Sequence, residues 1–315
     1  MVLNGLNKGF GRLRFCFAVL CLCLGFQRFA AADELSAVKS AYESGNYALA
    51  VKLLHGEAQK GNAKAQSALG IMYEYGRGVP QDDHTAVEWY MKAAAQNNAG
   101  AQNNLGCLYS RGQGVALNYD EAFRWFGEAE KNSKNTKDRV NAWTNIGNMY
   151  FMGHGVEKNL LSAANAYRTA AKLGNPYAAT KLGYLYEHGL GVGKDLKQAT
   201  FWYNKAADQG YSSAENNLAV MYEKGQGVML NYKEALKYFT AAAATGNGDA
   251  QGKLGRLYEH ALGTKRDLVK AYEWYLLGER HGDEEAKENR ARLQLVLSPA
   301  DIAGAQRAAD AQGVR

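Results

Sequence analysis

The sequence predicts an all-α solenoid of stacked helix pairs, and three observations predict it. The first is a recurring dipeptide: Leu69-Gly70, Leu105-Gly106, Ile146-Gly147, Leu182-Gly183, Leu218-Ala219 and Leu254-Gly255, at spacings of 36, 41, 36, 36 and 36 residues. The second is a shared continuation after each pair. A tyrosine stands four residues after its first member (Tyr73, Tyr109, Tyr150, Tyr186, Tyr222, Tyr258). Then comes a Gly-x-Gly turn: Gly76/Gly78, Gly112/Gly114, Gly153/Gly155, Gly189/Gly191 and Gly225/Gly227. In the sixth copy Ala261 replaces the first glycine and Gly263 keeps the second. The third is composition, because 3 prolines and 35 glycines in 315 residues suit helices punctuated by glycine turns, whereas a sheet protein would want more Val, Ile and Thr.

Taken in order, the chain opens with a basic start (Lys8, Arg12, Arg14), an apolar run from Phe15 to Phe26 and the small residues Ala30-Ala31-Ala32 before Asp33. These are the three parts of an export signal, so residues 1–32 are expected to be cleaved after Ala32, leaving a periplasmic or secreted protein. The apolar run is shorter than the roughly 20 residues a spanning helix needs. Four basic and no acidic side chains lie in that segment, and its loss takes the net charge from +6 to +2. The case for a nucleic-acid partner goes with it. Cys16, Cys21 and Cys23 also leave, so Cys107 stands alone; no disulfide framework is possible, and its thiol is expected on the apolar side of a helix.

Residues 33–62 carry Ala41-Tyr42, the turn Ser44-Gly45-Asn46, then Ala48, Val51 and Leu54, which read as a helical hairpin opening the stack. Six units follow, over 63–98, 99–138, 139–175, 176–211, 212–247 and 248–283. Each is helix A, glycine turn and helix B, with an alanine and an aromatic three residues later on B: Ala86/Trp89, Ala122/Trp125, Ala164/Tyr167, Ala199/Trp202, Ala235/Tyr238 and Ala271/Trp274. Gly70 is expected to admit the neighbouring helix while Trp89 fills the space beside it. Such a pair cannot bury its apolar face alone, and stacking completes the core. The lysine-rich stretch 131–138, where the spacing is longer, is expected to be a mobile loop or an extension of helix B. Residues 284–315 are read as capping helices, the last opened by Ser298-Pro299-Ala300-Asp301.

The pattern Ala-x-x-x-Leu-Gly-x-x-Tyr-x-x-Gly-x-Gly-Val, then Ala-x-x-Trp-[Tyr/Phe]-x-x-Ala-Ala, runs from Ala65 to Ala94 and again from Ala178 to Ala207. It resembles the Sel1-like repeat family, relatives of the tetratricopeptide repeats, over about residues 63 to 282. The resemblance implies a right-handed α/α superhelical solenoid with capping helices at both ends. It also implies a non-catalytic scaffold or adaptor in the bacterial cell envelope, serving envelope or exopolysaccharide-type assemblies or signalling. The partner would be a peptide or protein, or a glycan, held in the concave groove that the A helices line.

Carrying tetratricopeptide geometry onto this chain puts positions five, two and one before the repeat leucine, and two, five and six after it, in that groove. They are Asn103, Asn104 and Arg111; Asn141, Thr144, Asn145 and Asn148; Tyr177, Lys181, Tyr184 and Glu187; and Asn216, Asn217, Glu223 and Lys224. A carboxamide both donates and accepts, so it can hold a peptide backbone or a sugar hydroxyl without demanding a sequence. The resemblance points above all to Asn104, Asn145 and Asn217, at the position where related domains clamp peptides.

Catalytic and metal signatures do not assemble. Gly189-Leu-Gly191-Val-Gly193-Lys194 has the look of a phosphate loop but falls where every repeat puts its turn. His188 and His260 occupy equivalent positions two repeats apart, and His55, His84, His154 and His281 are scattered, so neither a metal nor a cofactor is expected. Ser36-Ala-Val-Lys39 matches the Ser-x-x-Lys of penicillin-recognising enzymes, but Ser-Asp-Asn and Lys-Thr-Gly are missing. The alternative function is therefore a β-lactam- or peptidoglycan-interacting protein, in the manner of cysteine-rich relatives whose stapling cysteine pairs this chain lacks.

Overall fold

The structure, a computed structural model, describes residues 35–313 and holds sixteen helices and no strand among them. The export signal read at 1–32 lies outside the described residues. Contacts divide the chain into two compact units, one ending at Lys158 and the other starting at Asn159.

The first unit contains α1 (Ser36–Glu43), α2 (Tyr47–Gln59), α3 (Ala63–Glu74), α4 (Asp83–Ala94), α5 (Ala99–Arg111), α6 (Tyr119–Asn132) and α7 (Thr136–Met152). The second contains α8 (Leu160–Lys172), α9 (Pro176–His188), α10 (Leu196–Ala207), α11 (Ser212–Lys224), α12 (Tyr232–Ala244), α13 (Gly248–Glu259), α14 (Leu268–Arg280), α15 (Glu284–Gln294) and α16 (Pro299–Gly313). Helices A and B of a repeat are thus α3/α4, α5/α6, α9/α10, α11/α12 and α13/α14. The third repeat contributes α7 to the first unit and α8 to the second.

Most helix ends are written in the local sequence. Asn62, Asn98, Asn175 and Asn247 cap the A helices by accepting from backbone amides of the first turn. The residue before each cap is left-handed: Gly61, Gly174 and Gly246, with Asn97 at φ +60° in the second repeat. Asparagine is the side chain best suited to that strained region after glycine.

The two glycines of the A–B turn do different work. The first ends helix A in the left-handed conformation, and an added methyl at Gly76 would approach only Gln81, at 3.2 Å. The second lies against main chain, where a methyl would collide with the first residue of the preceding helix B. That residue is Tyr47 for Gly78, Asp83 for Gly114, Tyr119 for Gly155, Leu160 for Gly191, Leu196 for Gly227 and Tyr232 for Gly263. Hence Ala261 can stand in the first position, at φ +57°, while Gly263 is retained. A left-handed alanine costs about 1–2 kcal/mol, but the backbone clash has no such escape.

The core corrects one expectation. The ring against Gly70 is not Trp89 but the next residue, Tyr90, which is fully buried; Phe126 meets Gly106, Tyr203 meets Gly183 and Tyr275 meets Gly255 in the same way. Trp89 turns instead onto the cluster of α1, α2 and α3, with its ring 5.7 Å from His55. Trp125 and Trp274 likewise seal the preceding layer. The third repeat falls into line once Ala163 replaces Ala164 as its alanine, since Tyr167 then takes the position of Tyr90, and both Ala163 and Tyr167 are fully buried.

The lengthened spacing is neither a mobile loop nor chiefly helix B. Helix α6 runs to Asn132, and most of the extra residues go to the start of α7, which begins at Thr136 and reaches 17 residues. Asn135 caps that early start through the Asp138 amide.

The ends are partial repeats. Helix α2 offers Tyr47 to Gly78 as later B helices do. Helix α15 is a degenerate helix A: Asp283 caps it, and Ala286 and Leu293 are buried as Ala250 and Leu257 are, but Arg290 stands where the repeat leucine belongs. Arg290 pairs with Glu279 and donates to the Tyr272 hydroxyl at 3.2 Å, so the substituted position is satisfied at the edge of the core.

Candidate interaction faces

A set of buried and half-buried carboxylates lies behind the A-helix faces. In the first, fourth and sixth repeats the tyrosine that fills the glycine gap also donates its hydroxyl to a glutamate near the end of its own helix A. Tyr90 reaches Glu74 at 2.7 Å, Tyr203 reaches Glu187 at 2.7 Å and Tyr275 reaches Glu259 at 2.8 Å, each 16 residues apart. In two of the three an arginine from the next helix A completes the link: Arg111 on Glu74 at 3.2 Å and Arg292 on Glu259 at 2.6 and 2.8 Å. In the fifth repeat Phe239 has no hydroxyl, and Glu223 is held by Arg256 alone.

These links shift the groups they join. Burial first, and then the neighbouring Glu187 carboxylate, hold the Tyr203 hydroxyl well above the ordinary phenol range. Tyr275 is raised by burial and by its bond to Glu259. The hydrogen bonds from Arg292 hold the Glu259 carboxyl below its usual value, against the opposing effect of burial.

Several residues expected to face a groove are therefore structural. In the first unit Asn103 is buried and donates to the Asp138 carbonyl at 3.1 Å, Thr144 is buried and donates to the Val140 carbonyl at 2.7 Å, and Arg111 is taken by Glu74 and the Cys107 carbonyl. In the second, Glu187 and Glu223 belong to the links above, and buried Asn216 donates to Asp249 at 2.8 Å. For Asn103, Asn216 and Glu223 the reason is shared: a position that looks outward in one repeat is engaged by the helix A of the next. Cys107 is buried as expected, within 4.0 Å of Asn145.

What remains partly exposed differs between the units. In the first, Asn104, Asn141, Asn145 and Asn148 are partly exposed on α5 and α7, the Asn145 amide turning in toward Asn103 and Cys107. In the second, α9 presents Tyr177, Lys181, Tyr184 and His188 in a line. The Lys181 ammonium lies 5.3 Å from the Tyr177 ring centre, and the Tyr184 and His188 rings are 4.2 Å apart. Burial and the adjacent Glu187 raise the Tyr184 hydroxyl above its ordinary value. Asn217 and the exposed Lys224 lie on α11.

The tyrosine–glutamate links were missed in the sequence, although their signal is there: columns 16 residues apart within a repeat, and Glu223/Arg256 and Glu259/Arg292, each 33 apart across repeats. Among the described residues there is no cluster of metal-ligating side chains and no helix long and apolar enough to cross a membrane. Ser36 opens α1 and Lys39 ion-pairs with Glu43 at 3.8 Å. The phosphate-loop lookalike is the turn after α9, with Gly191 seated on Leu160.

Comparison with known proteins agrees with this geometry. The Sel1 repeat model matches residues 63–98, 99–133, 144–175, 176–211, 212–247 and 248–283. Among solved structures, c5321, a protective antigen of uropathogenic Escherichia coli strains with an SLR fold, is 31% identical at a TM-score of 0.75. That match covers 89% of this chain and only 61% of the antigen. A Sel1 repeat protein from Oxalobacter formigenes is also 31% identical, with a TM-score of 0.69, over 79% of this chain and 97% of that one. No curated protein matches. With six matched repeats and a glycine seated in the same way in each, the chain belongs to the Sel1 repeat family.

Proposed function

We propose that the protein is a non-catalytic scaffold of the bacterial cell envelope that holds a peptide or protein partner against its A-helix faces. Repeat folds of this kind typically serve protein–protein interaction. The export-type N-terminus supports the envelope assignment. The observation that carries the reading is the line along α9, where two tyrosine rings, an ammonium and an imidazole stay partly or fully exposed beside a fully packed layer. Amphipathic side chains of this type are enriched where proteins bind one another.

A photo-crosslinking amino acid placed at position 184, and separately at the exposed helix B position 201, tests the face in intact cells. A covalent partner is expected from 184 and not from 201. Capture from 201 alone would move the binding face to the B helices. For the compartment, deletion of residues 2–32 is expected to leave the protein in the cytoplasmic fraction; unchanged fractionation would remove the envelope assignment.

A further inference from the structure

Three buried glutamines close the junction between one repeat and the element before it. Gln66 donates to the Ala58 carbonyl at 3.1 Å, Gln102 to Ala94 at 3.2 Å and Gln251 to Ala243 at 3.0 Å, each reaching eight residues back to the end of the preceding helix B. Each amide oxygen is in turn engaged by a side chain 30 residues on: Gln96, Asn132 and His281. All three glutamines stand three residues before the repeat leucine. In the fifth repeat that position is Glu215.

Glu215 is 8% exposed, and its carboxyl has neither a hydrogen bond nor an ion pair. The carbonyl eight residues back is that of Ala207, at the end of α10. A carboxylate has no proton to offer it, whereas a neutral carboxylic acid carries one O–H donor. We propose that Glu215 is a proton-operated latch between the fourth and fifth repeats. Neutral, it donates to the Ala207 carbonyl and closes the α10–α11 junction as Gln66, Gln102 and Gln251 close theirs; ionised, it withdraws that bond.

The charged groups on the elements packed against α11 leave this position alone. They are Lys181 on α9, Lys205 and the cap Asp208 on α10, the Lys237–Glu234 pair on α12, and Asp249, Lys253 and Arg256 on α13; Asp249 is engaged by Asn216 and Lys253, Arg256 by Glu223, and none of these groups pairs with Glu215. Burial alone pushes the Glu215 carboxyl above its ordinary value. A carboxyl raised in the folded state contributes stability that is complete below its unfolded value and is lost as pH rises through its folded value. The partly exposed Asn217 stands two residues after Glu215 on α11, so the latch acts beside a position of the proposed face. It does not depend on that face having a partner.

Thermal melts of the mature chain from pH 8 to pH 5, for the wild type, Glu215→Gln and Glu215→Ala, test the proposal. Alanine is a mild control, because Ala179 fills this position in the fourth repeat. At pH 8 Glu215→Gln is expected to melt about 2–4 °C above the wild type, and the gap is expected to close as pH falls. Glu215→Ala is expected to fall behind the wild type over the same range. Comparison with the variants cancels every other titration. Differences that stay constant with pH overturn the proposal. So does a carbon-13 carboxyl resonance, absent from Glu215→Gln, that titrates in the ordinary glutamate range.

Discussion

Arg292 holds Glu259 through two hydrogen bonds, across the same 33-residue reach by which Arg256 holds Glu223. Helix α15 thus supplies to the sixth repeat the arginine that the sixth supplies to the fifth. It completes the last such link, and α16 packs behind it against α14.

Loss of that link is expected to be costly, since Glu259 is buried. Arg292→Ala should lower stability by about 2 kcal/mol, less than a fully buried pair would because the guanidinium is half-exposed. Glu259 is held below its usual value, so its contribution is present at neutral pH and is lost as pH falls through the folded value. The gap between wild type and Arg292→Ala in thermal melts should therefore shrink below about pH 4. A gap independent of pH would assign the effect to lost packing.

The tyrosine links predict a pair of opposite substitutions. Tyr203→Phe removes a donor from Glu187 and should cost about 1 kcal/mol. Phe239→Tyr should do the reverse, because Glu223 already lies 16 residues before it with no tyrosine to receive from. A gain of about 1 kcal/mol in chemical denaturation is expected.

Adjacent asparagines should behave differently. Asn103→Ala removes a buried bond to the Asp138 carbonyl and should cost about 1–2 kcal/mol, whereas Asn104→Ala, at the surface, should stay within about 0.5 kcal/mol. Equal melts for the two variants would contradict the assignment of Asn103 to the inter-repeat contact.

The turn glycines give a fourth test. Ala261→Gly relieves a left-handed alanine and should stabilise by about 1 kcal/mol. Gly263→Ala should destabilise by several kcal/mol, since its methyl would meet the Tyr232 main chain. A circular-dichroism melt of each variant distinguishes the two positions.

Much of this architecture is legible in the sequence because it is local and periodic. Helix pairs, glycine turns and the buried faces follow from Leu69, Tyr73, Gly76 and their equivalents. What the periodicity leaves open is geometry at finer angles. Trp89 and Tyr90 are both aromatic and lie about 100° apart on one helix, so spacing alone does not say which faces Gly70. The groove positions fail for a different reason. Whether Asn103 or Glu223 is exposed depends on the next helix A, and that cover exists only after stacking.

The glycine seat also makes the repeats exchangeable parts. Because Gly191 and Gly227 rest chiefly on main chain, of Leu160 and Leu196 respectively, the seat itself asks little of the side chains its neighbour carries. Excising residues 192–227, one 36-residue period, joins Gly191 directly to Val228 and leaves Glu187 in the place of Glu223, opposite Arg256. Such a lineage can grow or shorten by whole units without reinventing its joints.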